Sequence, residues 1–261
     1  YGILLSSRRC RCRHSRANAD WPLRTRLGQT IEGVGHGVIG LIAPWGVVQI
    51  GRFQRTVSVV HTRIHIDGAM YQMGIGGLHS CEKQQYVRAD DEHVLADWDV
   101  ASMYPTMIIN QKLAPENMGV HFTKIYSGFV TQRLAAKHSG DKVTSDTLKI
   151  FLNGSFGKFG SMYSMLYSPK LLIQTTITGQ LSLLMLIETV TEHGIRVMSA
   201  NTDGIVMHCT KDQEALMDEL TFDWMLTTNM QLERTEYVAL ASRDVNNYCA
   251  VKPDGKVKGK G

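Results

Sequence analysis

The 261-residue sequence predicts an α+β fold, an antiparallel sheet backed by two helices. Three observations carry that prediction. Val94–Val100, Ile195–Ser199 and Gly204–His208 are short apolar, β-branched runs of strand character, the last two separated only by the turn tetrad Asn201-Thr202-Asp203-Gly204. Thr178–His193 places Leu181, Leu184, Met185 and Glu188 at helical spacing, and Asp212–Thr227 repeats that pattern. Residues 126 to 159 read as two further helices, broken by the polar stretch Ser139-Gly140-Asp141-Lys142.

Taken in order, residues 1–55 are rich in Arg, Gly and His with no sustained helical or strand period. They read either as a disordered leader or as read-through that is not native coding sequence, and no function is assigned to them. Ser58–Ile66 is β-branched and partly alternating, as a strand would be. Gly74–Ser80 reads as a turn or close-approach loop, since glycine lets another backbone come near. Val94–Val100 is a strand ending at Asp99, and Pro105 stops its ladder, with a short helix starting nearby. The first of the two middle helices carries Arg133 and Lys137 on one face, and the second carries Lys149 and Asn153, each pair four residues apart. Gly194 is the expected stop of the Thr178–His193 helix, and Thr210 the cap of the next one. Glu236–Val251 supplies strands, and Pro253-Asp254-Gly255 turns the chain into the lysine run Lys256–Lys260.

Bulk properties exclude some classes and leave others open. A hydrophobic content of 43% with 20% charged residues describes an ordinary globular chain able to bury a core. The formal charge of +4 permits a polyanionic partner without demanding one. No uninterrupted apolar run reaches the roughly 18 residues of a membrane span, and Val34–Ile50 is broken by Pro44, His36 and glycines. Five scattered cysteines argue against a disulfide framework and for a reducing compartment. Cys10-Arg-Cys12-Arg-His14 lacks the spacing and the second half of a zinc site. Arginines interrupt the region where a signal peptide would have its apolar core.

Three blocks carry chemistry: Asp99-Val100-Ala101-Ser102-Met103-Tyr104-Pro105, Lys149-Ile150-Phe151-Leu152-Asn153-Gly154-Ser155-Phe156-Gly157, and Asn201-Thr202-Asp203-Gly204. The first and third each set a carboxylate at the end of a strand. If those strands are neighbours, Asp99 and Asp203 face one another and form a site for hard divalent cations, which favour a few carboxylates plus substrate phosphates. Two such ions, about 3.5–4 Å apart, activate an attacking hydroxyl and neutralise a leaving pyrophosphate. Arg133, Lys137 and Lys149 lie on helices able to lean over that site and grip a triphosphate. Taken singly, each residue has a plainer explanation. An aspartate in a hairpin commonly serves the turn, Asp97 rivals Asp99, and Arg133 and Lys137 suit a solvated helix face. Order and spacing together favour the site.

At these residues the chain resembles the family B DNA polymerases, especially their phage and protein-primed branches. Asp99-x-x-Ser102-x-Tyr104-Pro105 looks like the family's D-x-x-S-L-Y-P motif, Lys149-x3-Asn153-Gly154-x-Phe156-Gly157 is similar to K-x3-N-S-x-Y-G, and Thr202-Asp203 matches the end of its D-T-D turn. The resemblance covers residues 57 to 261. It implies a palm sheet in residues 56–115 and 161–261 with a short two-helix fingers insertion in 116–160. It also implies a template-directed DNA polymerase using two Mg²⁺ ions, for which Mn²⁺ can substitute.

By the same resemblance Asp99, Asp203 and the Val100 carbonyl are metal ligands. Ser102, Met103, Tyr104, Arg133, Lys137, Lys149 and Asn153 bind the deoxynucleoside triphosphate, Tyr104 excluding a 2′-hydroxyl. Gly76, Gly77, Phe156, Gly157, Tyr248, Lys258 and Lys260 contact template–primer DNA. Implied partners are that DNA, the nucleotides and, in the protein-primed branch, a terminal priming protein, with no membrane. The implied setting is the cytoplasm of a bacterial host or a viral replication complex, and the process viral or plasmid DNA replication.

The chain departs from the pattern where Asn201 replaces the first acid of the turn, Ser199 an aromatic, and Gly154 and Phe156 a Ser and a Tyr. No proofreading nuclease is recognisable before residue 57 and no thumb follows, so the expectation is a palm-and-fingers piece of a longer polymerase. Asn201 keeps open a second reading, a nucleic-acid-binding relic without catalysis. A reverse transcriptase or RNA polymerase ranks lower, because adjacent aspartates are missing from the turn and Tyr104 is bulky.

Overall fold

The computed structural model describes residues 39–43, 46–50, 62–74 and 76–261, the first two segments as backbone alone. Strands β1 (Ile39–Ala43) and β2 (Gly46–Ile50) pair antiparallel, Ile39 opposite Ile50. Part of the segment expected to lack any strand period therefore forms a ladder. Its glycines hide the alternation, but its runs of Ile, Leu and Val suit extended backbone. Of the strand expected over Ser58–Ile66, residues 58–61 lie outside the described residues, as do residues 1–38 of the leader; the remainder is β3 (Thr62–Ile66). It turns through Asp67-Gly68, both at positive φ (46° and 73°), into β4 (Ala69–Met73). Asp-Gly is the dipeptide such a two-residue hairpin favours.

A seven-stranded antiparallel sheet runs β10-β7-β9-β8-β5-β4-β3. At one edge lies β10 (Leu232–Glu236), followed by β7 (His93–Val100), β9 (Gly204–Thr210) and the central β8 (Arg196–Thr202). Within Gly74–Ser80, where the sequence suggested only a loop, Leu78–Ser80 form β5 and pair with β4 and β8. Three residues are too few to show a period. A four-stranded sheet, β13-β12-β11-β6, packs beside the first. It is built from β6 (Gln85–Arg88), β11 (Ala239–Asp244), β12 (Asn247–Val251) and β13 (Val257–Lys260). Leu95, Met198, Tyr237, Leu240 and Ala250 form the apolar seam associated with it.

Helix α1 (Met103–Asn110) leaves β7 through Ser102 at φ 54°. Helices α2 (Gly119–Ser139) and α3 (Lys142–Lys158) form an antiparallel pair; α2 starts seven residues before the expected Tyr126. Gly140 at φ 77° closes α2, and Asp141 caps α3 by accepting from the Thr144 amide at 3.0 Å. The break at Ser139–Lys142 thus falls where the sequence set it.

Helix α4 (Pro169–Glu192) begins nine residues before the expected Thr178. Thr175, Thr176 and Thr178 are poor helix formers, which hid that start. In the structure the hydroxyls of Thr175, Thr176 and Ser182 donate to carbonyls four residues back, at 2.8–2.9 Å, and Pro169 starts the first turn. The C-terminus is a Schellman cap. Gly194 takes φ 77°, its N–H donates to Thr191, and the Ile195 N–H donates to Val190. By length and composition α4 is apolar enough to cross a membrane, but 89% of its apolar window is buried inside the protein, so it is a core helix. It packs on the large sheet with α5 (Lys211–Thr228), whose Thr210 and Gln213 form a capping box.

Two larger apolar clusters result. One joins the seven-stranded sheet to α4 and α5 and includes Met103 and Met107 of α1. The other, around Ile108, Phe122, Tyr126, Leu152, Phe159 and Leu171, holds α1, α2, α3 and the start of α4 together.

Candidate active site

The β7–β9 register sets Asp99 opposite Gly204, the residue after Asp203. Asn201 pairs with Gly204 across the β8–β9 hairpin, so Thr202 and Asp203 form its tip. The turn is tight. The Asp203 N–H donates to the Asn201 carbonyl at 2.7 Å, and Thr202 is held at φ 61°, unusual for a β-branched residue. The Val100 N–H donates to the Asp203 carbonyl at 2.8 Å, which locks the tip onto the end of β7. Asp99 and Asp203, the two acids expected to face one another, both line the two cavities that join at this point.

Electrostatics mark the pair. The Asp99 side chain reaches solvent through the cleft, yet the surrounding protein, followed by the charges of Asp203 and Asp97, pushes its carboxyl up to about 7. Burial is also the main cause of a rise at Asp203, offset in part by Lys149 and Lys258. Clustered carboxylates in this state favour an added cation. Among the described residues no group of three or more His, Cys, Asp or Glu side chains is arranged to hold a metal. Two carboxylates beside an open cleft still fit Mg²⁺, which keeps waters and substrate oxygens in its shell.

Asp97, the rival on the same strand, is committed elsewhere. It accepts from the Tyr237 hydroxyl at 2.6 Å and from Lys258 Nζ at 2.9 Å, and it is buried. Lys258 also lies over the Tyr237 ring, 5.9 Å from its centroid. The lysine expected at DNA is therefore tied to an internal acid. Tyr248 and Lys260 line the same cavity as Asp97, on the β12–β13 side.

The second cavity lies between the acids and the helical pair. Asp99 and Val100 and the expected nucleotide-binding residues Ser102, Met103, Tyr104, Arg133, Lys137, Lys149 and Asn153 all line it, joined by Phe156, expected at DNA. Arg133 donates to Ser102 Oγ, while its buried Nε has no hydrogen-bond partner. Lys137 is ion-paired with Glu233, the residue opposite Asp99 in β10. Tyr104 stacks on Phe156 with centroids 4.2 Å apart and rings 8° from parallel. Burial, then Asp203, pushes its phenol up to about 12, so it stays protonated.

Three expected residues stand apart. Gly157 is exposed on α3 with open space where a Cβ would go and does not line the cleft. Gly77, at φ 138°, is buried with its ideal Cβ position 3.0 Å from Thr202 Cγ2, so its close approach is to the protein's own turn; Gly76 beside it is open. Sequence reading missed Glu233 and Tyr237. Both reach the site only through pairings with distant residues, and no local signal marks them.

No family model matches the chain. It is 27% identical over 122 residues to DNA polymerase 1 of Saccharolobus solfataricus, a match covering 46% of this chain and 14% of that protein. It is 22% identical over 185 residues to DNA polymerase 1 of Sulfurisphaera ohwakuensis, covering 70% and 21%. With DNA polymerase 1 of Sulfolobus acidocaldarius it shares 28% over 123 residues, covering 46% and 14%. The family B DNA polymerase from the hyperthermophilic archaeon Pyrobaculum calidifontis superposes with a TM-score of 0.52 at 16% identity, covering 69% of this chain and 29% of that one. The matches thus span about a fifth or less of the curated relatives' length. Sequence similarity points to DNA-directed DNA polymerases, and the shared fold is that of part of a family B polymerase. These relatives are archaeal.

Proposed function

We propose that this chain carries the nucleotidyl-transfer site of a family B, template-directed DNA polymerase that adds deoxynucleotides to a primer 3′-hydroxyl. The observation that carries this reading is the pairing of Asp99 with the Asp203 turn across β7 and β9, at the junction of two cavities. On this reading Asp99, Asp203 and the Val100 carbonyl hold divalent ions. Bound Mg²⁺, or Mn²⁺ in its place, supplies charge neutralisation for the attacking and leaving oxygens.

The chain's own groups do the positioning. Arg133, whose buried Nε lacks a partner, and Lys149 draw the triphosphate into the cleft, and Lys137 joins them by exchanging Glu233 for phosphate. The amides near Ser102 and Met103 add donors, and Asn153 lines the nucleotide's path. Tyr104, backed flat by Phe156, would floor the sugar and, as the resemblance implies, exclude a 2′-hydroxyl. Tyr248 and Lys260 line the opposite cavity, where the primer end would lie, with the exposed Gly76 and Gly157 as the remaining DNA contacts.

Residues 56–115 and 161–261 serve as palm and 116–160 as fingers. The phage or protein-primed branch, with its terminal protein and viral or plasmid setting, rests on the motif resemblance and the Gly76-Gly77 pair. Primer extension on a primed template with Mg²⁺ tests the activity. Extension is expected to vanish with a chelator and in Asp203→Asn, and extension that persists in Asp203→Asn overturns the reading. Asn201 favours a second reading, a nucleic-acid-binding chain without catalysis. DNA binding with no extension under any divalent ion would select it.

A further inference from the structure

Asn201 stands where the resembling family has an acid, and its amide has a partner that a carboxylate would lose. Asn201 Nδ2 donates to the Val245 carbonyl at 2.9 Å, 44 residues away. Val245 is buried in the turn between β11 and β12. That turn is itself braced, because the Asp244 carboxylate accepts from the Asn246 N–H at 3.0 Å and from Asn247 Nδ2 at 2.8 Å. Asn201 Oδ1 accepts from the Thr202 hydroxyl at 3.2 Å. Thr202 is paired with Leu78 of β5, next to Gly77, where a side chain would crowd it, and the Asp203 carbonyl is bonded to the Val100 amide. A threonine at φ 61° persists when its surroundings over-determine it, and here contacts from three separate segments do so.

We infer that Asn201 is a positioning residue whose amide ties the Thr202–Asp203 turn to the β11–β12 turn and so sets where the Asp203 carboxylate stands relative to Asp99. The inference rests on the reading of these two acids as a cation-holding pair. It turns the sign of an obvious substitution. Counting charges alone, Asn201→Asp restores the family's acid and should draw cations in. Counting hydrogen bonds, it removes the donor and sets a carboxylate against a carbonyl oxygen, so the turn shifts.

The metal-free 261-residue chain gives the first readout, amide hydrogen exchange by NMR. In Asn201→Ala and Asn201→Asp the Val100 amide, which bonds to Asp203, should exchange about tenfold faster or more. The core amides of α4 should keep their wild-type rates. An unchanged Val100 rate in both variants overturns the inference. If Asn201→Asp does not fold, the neutral, smaller Asn201→Ala decides. Mn²⁺ affinity by electron paramagnetic resonance is the second readout. Asn201→Asp should bind several-fold more weakly than wild type, and tighter binding overturns the tether. A wild-type chain that takes up no Mn²⁺ would count against the polymerase reading instead, and the exchange rates would still decide this one.

Discussion

Asp99 and Gly204 stand opposite one another in the β7–β9 ladder, and a Cβ at Gly204 would lie 3.0 Å from Asp99 Oδ1 and 3.3 Å from the Trp98 carbonyl. The carboxylate has its place because residue 204 has no side chain. Gly204→Ala should push the Asp99 carboxylate aside and lower primer extension by about tenfold or more, while shifting Tm by only a few degrees. Full extension by that variant would show that the carboxylate has slack.

The raised carboxyl of Asp99 gives a pH signature. In the unfolded chain it titrates at about 3.9, and in the folded chain it is pushed up to about 7. The folded state therefore binds the extra proton, and this group's contribution to stability is complete at low pH and lost as pH rises to and through about 7. With a chelator present, Tm should fall over that window more steeply in wild type than in Asp99→Asn. Divalent binding, which needs the ionised carboxylate, should strengthen over the same window. A pH-independent Tm difference between the two chains would contradict the shift.

Lys258 neutralises Asp97 from a half-exposed position, 45% accessible against 12% for its partner. Replacing it in Lys258→Met should cost about 1–2 kcal/mol, less than a fully buried pair because solvent reaches the ammonium. Denaturant unfolding of Lys258→Met, Asp97→Asn and the double variant should show coupling between the two sites. Because Lys258 also lowers the Asp99 carboxyl, the pH dependence of extension in Lys258→Met should move to higher pH.

The Tyr104–Phe156 stack predicts a specificity change. Tyr104→Ala should raise ribonucleotide incorporation relative to deoxynucleotide, and Phe156→Ala should do so more weakly by loosening the ring. Comparing kcat/KM for the two nucleotide types checks this. An unchanged ratio in Tyr104→Ala would remove the sugar-gate assignment.

What the sequence disclosed follows the range of each interaction. The strand through Asp99, the tetrad hairpin, the Ser139–Lys142 break, the Thr210 cap and the Gly194 stop are written within a few residues, and the structure has all of them. The cleft grouping of Tyr104, Arg133, Lys149 and Asn153 was also legible, because motif order encodes a juxtaposition that spacing alone does not. The commitment of Asp97 to Tyr237 and Lys258 was hidden, since its partners lie 140 and 161 residues away. So was the pairing of Lys137 with Glu233, across 96 residues. The first nine residues of α4 were masked by threonines whose hydroxyls find carbonyls within the helix.

Helix α1 belongs to both large apolar clusters, through Met103 and Met107 to the sheet and through Ile108 to the helical pair. The cations ride on α2 and α3, and the carboxylates on β7 and the β8–β9 tip. A tilt of the helical pair would reach the acids by two routes, a rocking of α1, whose leading end brings Ser102 and Tyr104 into the cleft, and the Lys137–Glu233 pair opposite Asp99. On the proposed reading, the phosphate contacts and the sugar floor would then shift in concert with the strand that carries Asp99.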